Sequence, residues 1–219
     1  MESVQRALPR ALRAQTRLGL CLLGLALCVQ LSGARAEALS PVGAVEGLSD
    51  AVRAGEVDVR FKKMKGGEMP SVLAFGVIKA PLSKVWAMVT DCGRYHLTMP
   101  SVKDSALISG SLKSGKMRCK IVADLPWPMS DLTSVVDVTI KVKGGGVHER
   151  SWTLVEGDYK RNEGSWTLTP IDGGASTLLR YQLYVEPNTS VPDFLKRQAQ
   201  KIKIPGLFKA IRKHVGARG

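Results

Sequence analysis

Side-chain chemistry needs groups that titrate or attack, and in this chain such groups are scattered. The three histidines, His96, His148 and His214, stand beside aromatic, acidic and basic neighbours in turn. None has a cysteine or carboxylate at metal-ligand spacing, so no metal site is expected. No nucleophile elbow or glycine-rich phosphate loop occurs, and Gly144-Gly145-Gly146 joins two strand patterns rather than a strand and a helix. Asp91 and Asp158 fall at a predicted helix end and hairpin, where a carboxylate more often caps backbone N–H groups than transfers protons. No catalytic residue and no cofactor is therefore assigned.

The cysteines and the large aromatic residues carry more. Cys21 and Cys28 lie in an uncharged, Leu-rich run from Leu18 to Leu31, whereas Cys92 and Cys119 lie in the body of the chain. In an oxidising compartment Cys92 and Cys119 could form a disulfide; two buried thiols are the alternative. Trp152, Trp166 and Tyr181 combine broad apolar surfaces with one polar atom each, which suits the wall of a pocket as well as a core.

The charge has a distribution that bears on partners. The formal net charge is +13 over 219 residues. Residues 1–36 hold +4 and residues 191–219 hold +7, which leaves the body between them almost neutral. Arg6, Arg10, Arg13 and Arg17 precede the Leu-rich run, and Ala34-Arg35-Ala36 follows it. A basic start, a short apolar middle and a small-residue cleavage pattern predict a secretory signal over 1–36, hence an exported protein, periplasmic or secreted. Export, together with the lack of a basic, aromatic-studded sheet face, argues against nucleic acid as a partner.

The elements that must position these residues follow from periodicity. Residues 37–55 read as a tether or a frayed helix, and the domain is expected over 56–219. Val57, Val59 and Phe61 alternate with charged residues, and Ser71 to Lys79 is a second β-rich run. After Pro81, Leu82, Val85, Trp86 and Val89 form one apolar helical stripe, and a second helical turn is expected near Arg94 to Met99. Six strands are predicted next: Asp104–Leu112, Lys116–Leu125, Thr133–Lys143, Val147–Val155, Gly164–Pro170 and Ala175–Pro187. Short turns between most of them predict an antiparallel meander. Period-2 alternation gives it one apolar face, through Met117, Cys119, Ile121, Val136, Val138, Trp152, Trp166, Tyr181 and Leu183, which something must cover. The C-terminal segment can do so. Its apolar residues form two stripes, Val191, Phe194, Leu195, Ala199 and Ile202, then Ile204, Leu207, Phe208, Ile211 and Val215. The stripes are rotated against each other, so a kink or restart is expected at Lys203-Ile204-Pro205-Gly206.

Read together, VIKAP (77–81), VWAMVTDCGRYHLTMPSV (85–102), VEGDYKRNEGSWTLTP (155–170), LLRYQLYVEPNTSVP (178–192) and IPGLFKAIRKHV (204–215) resemble the START-like, helix-grip superfamily. That superfamily includes lipid-transfer START domains, coenzyme Q-binding proteins and polyketide cyclases. The likeness covers about Glu56 to Val215. It implies an α+β, birch-pollen-allergen-like fold: a curved seven-stranded antiparallel sheet around a long C-terminal helix, with two short helices after the first strand. Relatives often carry an Arg-Asp pair after the Pro-rich corner, where this chain has Met129-Ser130-Asp131-Leu132-Thr133. No function tied to that pair is carried over.

The resemblance implies a cavity between sheet and helix for one lipid, quinone or polyketide-like molecule. The alternatives are a cofactor-independent cyclase or dehydratase and a cavity-free, membrane-associated interaction domain. The expected lining is Trp86, Tyr95, Met99, Met117, Ile121, Trp152, Trp166, Tyr181, Leu183, Phe194 and Leu195. Phe208, Lys209, Arg212 and Lys213 are expected to meet an anionic membrane surface. A monomer is expected.

Overall fold

The computed structural model describes residues 48–127, 129–188 and 193–216, with the side chains of 193–203 outside that description. The predicted leader and residues 37–47 lie outside the described residues. Helix α1 (Asp50–Ala54) lies within the stretch read as a tether or frayed helix. It is capped by Ser49, whose side chain accepts from the Val52 N–H, and it ends on Gly55 at φ 116°.

Strands β1 (Val57–Lys63) and β2 (Pro70–Ile78) form a hairpin. Helix α2 (Leu82–Thr90), a 3₁₀ turn (Cys92–Arg94) and helix α3 (Tyr95–Thr98) follow. Then come β3 (Val102–Ser111), β4 (Lys116–Ala123), β5 (Leu132–Val142), β6 (His148–Gly157), β7 (Tyr159–Ile171) and β8 (Ser176–Pro187). Helix α4 (Asp193–His214) closes the chain. All strands pair antiparallel in one curved sheet of order β1-β2-β8-β7-β6-β5-β4-β3. The sheet has eight strands rather than the seven that the resemblance implies: the strand read from the alternation of Val57, Val59 and Phe61 is present as Val57–Lys63, and the chain turns back through Gly66, at φ 75°, to pair it as an edge strand with β2. That edge carries Arg60, Lys62 and Lys63, which discourage pairing with a further strand.

The predicted alternation is present. Met117, Cys119, Val136, Val138, Trp152, Trp166, Leu168, Leu179 and Tyr181 are buried in one core, whereas Arg118 and Asp137 on the opposite face form an exposed ion pair across β4 and β5. A smaller cluster on that outer side joins Val52 of α1 to Val77, Ile171 and Leu178. Strand β7 begins at Tyr159, five residues before the predicted Gly164, because the turn lies at Gly157-Asp158. Gly157 is at φ 132°, and a side chain there would stand 2.3 Å from the Thr133 carbonyl oxygen.

Helix α4 covers the concave face. It runs as one helix through Pro205, so the expected restart does not occur. Pro205 has no N–H to give, and the burial of Ile204, Phe208 and Ile211 around it outweighs that local loss. The second predicted stripe is the packing face: Ile204, Phe208 and Ile211 are buried in the core, which contributes on the order of 5 kcal/mol. Gly76 of β2 makes room for the Phe208 ring, since a Cβ there would lie 2.6 Å from Phe208 Cδ1. Arg212 Nη2 and Nε donate to the Val77 carbonyl at 3.0 and 3.3 Å and fasten the helix to the sheet.

Candidate functional site

The central row of the concave face follows from strand register. Ile140 faces Arg150, Arg150 faces Trp166, Trp166 faces Tyr181, and Tyr181 faces Ala74, across β5, β6, β7, β8 and β2. Antiparallel partners point to the same side of a sheet, so these side chains stand in line beneath α4. The Tyr181 ring lies 4.1 Å from the Trp166 ring and stacks 6.1 Å from Trp152. Trp152 Nε1 donates to Asn162 Oδ1 at 3.0 Å, which satisfies its one polar atom. Gly164, opposite Trp152, has no alternative residue: a Cβ would come within 2.4 Å of the indole and 2.3 Å of the Gln182 carbonyl.

Between this row and α4 lies a cavity of about 350 Å³. Its wall continues through Val72 and Leu183 on one side and Ile121, Ala123, Ser134 and Val136 on the other, and Ile204 and Leu207 of α4 roof it. Tyr95, Met99 and Pro100, from α3 and the segment after it, complete the enclosure. Among the described residues Arg150 is the one charged member of the lining. It is 3% exposed, and its guanidinium carbon lies 5.6 Å from the Tyr95 ring and 5.4 Å from the Trp152 ring. Both distances are in the range of a cation–π attraction. Among the described residues Arg150 has no ion-pair partner, and its Nε has no hydrogen-bond partner although it is buried.

Burial raises the phenols of this wall above the ordinary tyrosine range. Tyr159 is pushed up to about 12 by burial, with the Asp158 charge adding to it. Tyr181 is raised mainly by burial, with Tyr95 and Tyr159 adding and the positive Arg150 opposing. Tyr95 is raised by burial, against the pull of Arg150, and its hydroxyl donates to the Val89 carbonyl. All three are neutral donors near pH 7.

Of the expected lining, Tyr95, Met99, Ile121, Trp152, Trp166, Tyr181 and Leu183 meet at this cavity. Met117 does not; it is buried in the core beside Val138, its cross-strand partner. Trp86 does not either, because its ring turns to the end of the sheet and meets His148 edge-on at 5.0 Å. The side chains of Phe194 and Leu195 lie outside the described residues. Phe208, expected to meet a membrane, is fully buried, and Arg212 is held against Val77, so neither is available for that contact. Lys209 and Lys213 are exposed. Cys92 and Cys119 form a disulfide with a Cα–Cα distance of 6.2 Å, which ties the turn after α2 to the middle of β4.

Neither acidic candidate lines the cavity. Asp158 accepts the Thr133 N–H at 2.7 Å and so pins the β6–β7 turn to β5, while Asp91 is exposed just after α2. Among the described residues no cluster of metal-ligating side chains occurs, and no helix is long and apolar enough to cross a membrane. Reading the sequence missed Arg150 as a site residue, and with it Val72, Tyr159, Ile204 and Leu207 of the wall. Arg150 lies two positions before Trp152 and therefore on the same face.

Residues 78–212 match the family model described as polyketide cyclase/dehydrase and lipid transport. No curated protein matches the sequence. Among solved structures, the chain is similar to a fragment of the STAR-related lipid transfer protein from Xanthomonas axonopodis, with 23% identity over 73% of this chain and 93% of that one, at a TM-score of 0.64. It is also similar to the lipid transfer and protein localization domain of human StarD13, with 18% identity over 73% and 84% and a TM-score of 0.62. A third likeness, to human StAR-related lipid transfer protein 5, has 14% identity over 73% and 82% and a TM-score of 0.63. At these identities the three structures establish the shared fold.

Proposed function

We propose that this chain, which belongs to the polyketide cyclase/dehydrase and lipid transport family, is a carrier that holds one hydrophobic molecule between its sheet and α4. The observation that carries this reading is the cavity of about 350 Å³, walled by apolar and aromatic side chains and roofed by Ile204 and Leu207. A space of that size lies at the lower end of the roughly 300–1,000 Å³ usual for ligand pockets, which suits a single-chain molecule better than a two-tailed lipid. A carrier needs no nucleophile and no proton relay, only a dry wall and a few placed donors. The cavity has that composition, and Asp91 and Asp158 lie outside it.

Export forms part of the proposal. The leader pattern over 1–36 supports it, and so does the buried Cys92–Cys119 bond, since structural disulfides persist in oxidising compartments. The ligand would then be shielded from water outside the cytoplasm.

Native mass spectrometry of the protein purified from its own host tests the carrier reading. The expected result is an added mass that is released on denaturation and extracts into organic solvent. A ligand-free protein that also fails to take up long-chain alcohols or acids would overturn it.

A further inference from the structure

The lone cation among the described residues of the cavity sets a condition on the ligand. Moving an isolated guanidinium out of water is unfavourable unless a counter-charge and hydrogen bonds replace the solvent. Arg150 has neither among the described residues: it makes no ion pair, and its Nε is a buried donor without an acceptor. Tyr95 and Trp152 offset part of that cost through their ring faces, but they accept no conventional hydrogen bond there. Arginine cannot escape by deprotonation, unlike lysine or histidine. A packed apolar side chain at this position would fold at least as well.

The surroundings of Arg150 are those of a receptor. Its strand neighbours Ile140 and Trp166 point inward with it, so the register aims the guanidinium into the cavity. Among the described residues no Asp, Glu or Lys lines the same wall, and Tyr159 and Tyr181, whose hydroxyls are neutral donors, line it too. The wall therefore offers one positive charge, several donors and an otherwise apolar surface.

We infer that Arg150 receives the acidic head of the ligand and that the molecule carried is a monoanionic amphiphile, a long-chain carboxylic acid bound as its carboxylate. One carboxylate cancels one guanidinium and matches its paired N–H donors in geometry. A phosphate monoester would bring nearly two negative charges to described residues that offer a single positive one, which leaves it undercompensated. The chain of the acid then lies along Val72, Ile121 and Leu183 beneath α4. This inference rests on the carrier reading and narrows it to one head group.

Competition against an environment-sensitive apolar dye separates the two. Hexadecanoate, hexadecanol and hexadecyl phosphate are compared on the protein as recovered from its host, its Arg150→Met variant and its Arg150→Lys variant. The wild type should bind hexadecanoate at least about tenfold more tightly than hexadecanol, since hydrogen bonds to a charged partner are worth that much. It should also bind hexadecanoate more tightly than hexadecyl phosphate. Arg150→Met should lose the preference for the acid while still binding the alcohol, and Arg150→Lys should keep a weakened preference. Equal binding of acid and alcohol by the wild type overturns the head-group assignment and leaves the carrier reading standing. Tighter binding of the phosphate overturns the choice of carboxylate. If none of the three binds, both readings fall. The wild-type comparison needs no variant to fold. For the variants, unfolding without ligand is followed alongside, and Arg150→Met is expected to be at least as stable as the wild type; clear destabilisation would mean that Arg150 serves the fold instead.

Discussion

At the scale of single residues, the candidate site was legible wherever size and parity agreed and hidden where they conflicted. Trp152, Trp166 and Tyr181 were found because each falls on the apolar parity of its strand, β6, β7 or β8. Arg150 occupies the same parity, two residues before Trp152, yet charged residues on strands usually face water, and that expectation masked it. Trp86 erred the other way: its helical stripe pointed inward, but Val85 and Val89 fill the core side of α2 and leave Trp86 at the rim against His148. The buried phenols give a prediction of their own. Tyr95, Tyr159 and Tyr181 are all raised above 10.0 by burial, so the folded state keeps protons that the unfolded state has released. Their share of stability is complete below pH 10 and is lost as pH rises toward about 12. Alkaline titration should therefore give tyrosinate absorbance that rises together with loss of the near-ultraviolet circular dichroism. A smooth rise with the fold intact would show these phenols to be open to solvent.

At the scale of elements, what the pattern could not reveal was how competing preferences are resolved by packing. Local rules stop a helix before Pro205, and they separate Ile204, Phe208 and Ile211 from the stripe that precedes them. The concave sheet reverses the outcome because those three side chains have a matching surface only there. The match depends on Gly76. A methyl at that position would stand 2.6 Å from the Phe208 ring, so Gly76→Ala should destabilise the protein by about 1–3 kcal/mol, as overpacking does. Phe208→Ala should cost about 3–5 kcal/mol through the space it leaves. Because the two residues occupy the same space, the double variant should be more stable than the sum of the single effects allows. Urea unfolding of the four proteins measures this coupling. Additive effects would mean that α4 does not seat on β2 through this contact.

At the scale of the whole molecule, the strand order makes neighbours of β2 and β8, which are far apart in sequence, and α4 returns over β2. The turn between α2 and α3 is joined to this frame by a covalent link, from Cys92 to Cys119 in β4. The sequence left that pairing undecided, since a separation of 27 residues does not imply proximity. The link matters to the cavity because Tyr95 and Met99 lie just beyond Cys92 and form part of the wall. A bond closing a loop of that length restricts the unfolded chain by roughly 3.5 kcal/mol. The Cys92→Ala/Cys119→Ala double variant should lose about that much stability, measured by urea unfolding, and should bind a competing long-chain ligand more weakly as the wall loosens. The same bond ties the fold to its compartment. Protein made where thiols stay reduced should match the double variant, and protein recovered from the host should resist alkylation until reductant is added. If the host protein carries two alkylatable thiols in the body of the chain, the bond is absent in the cell and the proposal of export loses its structural support.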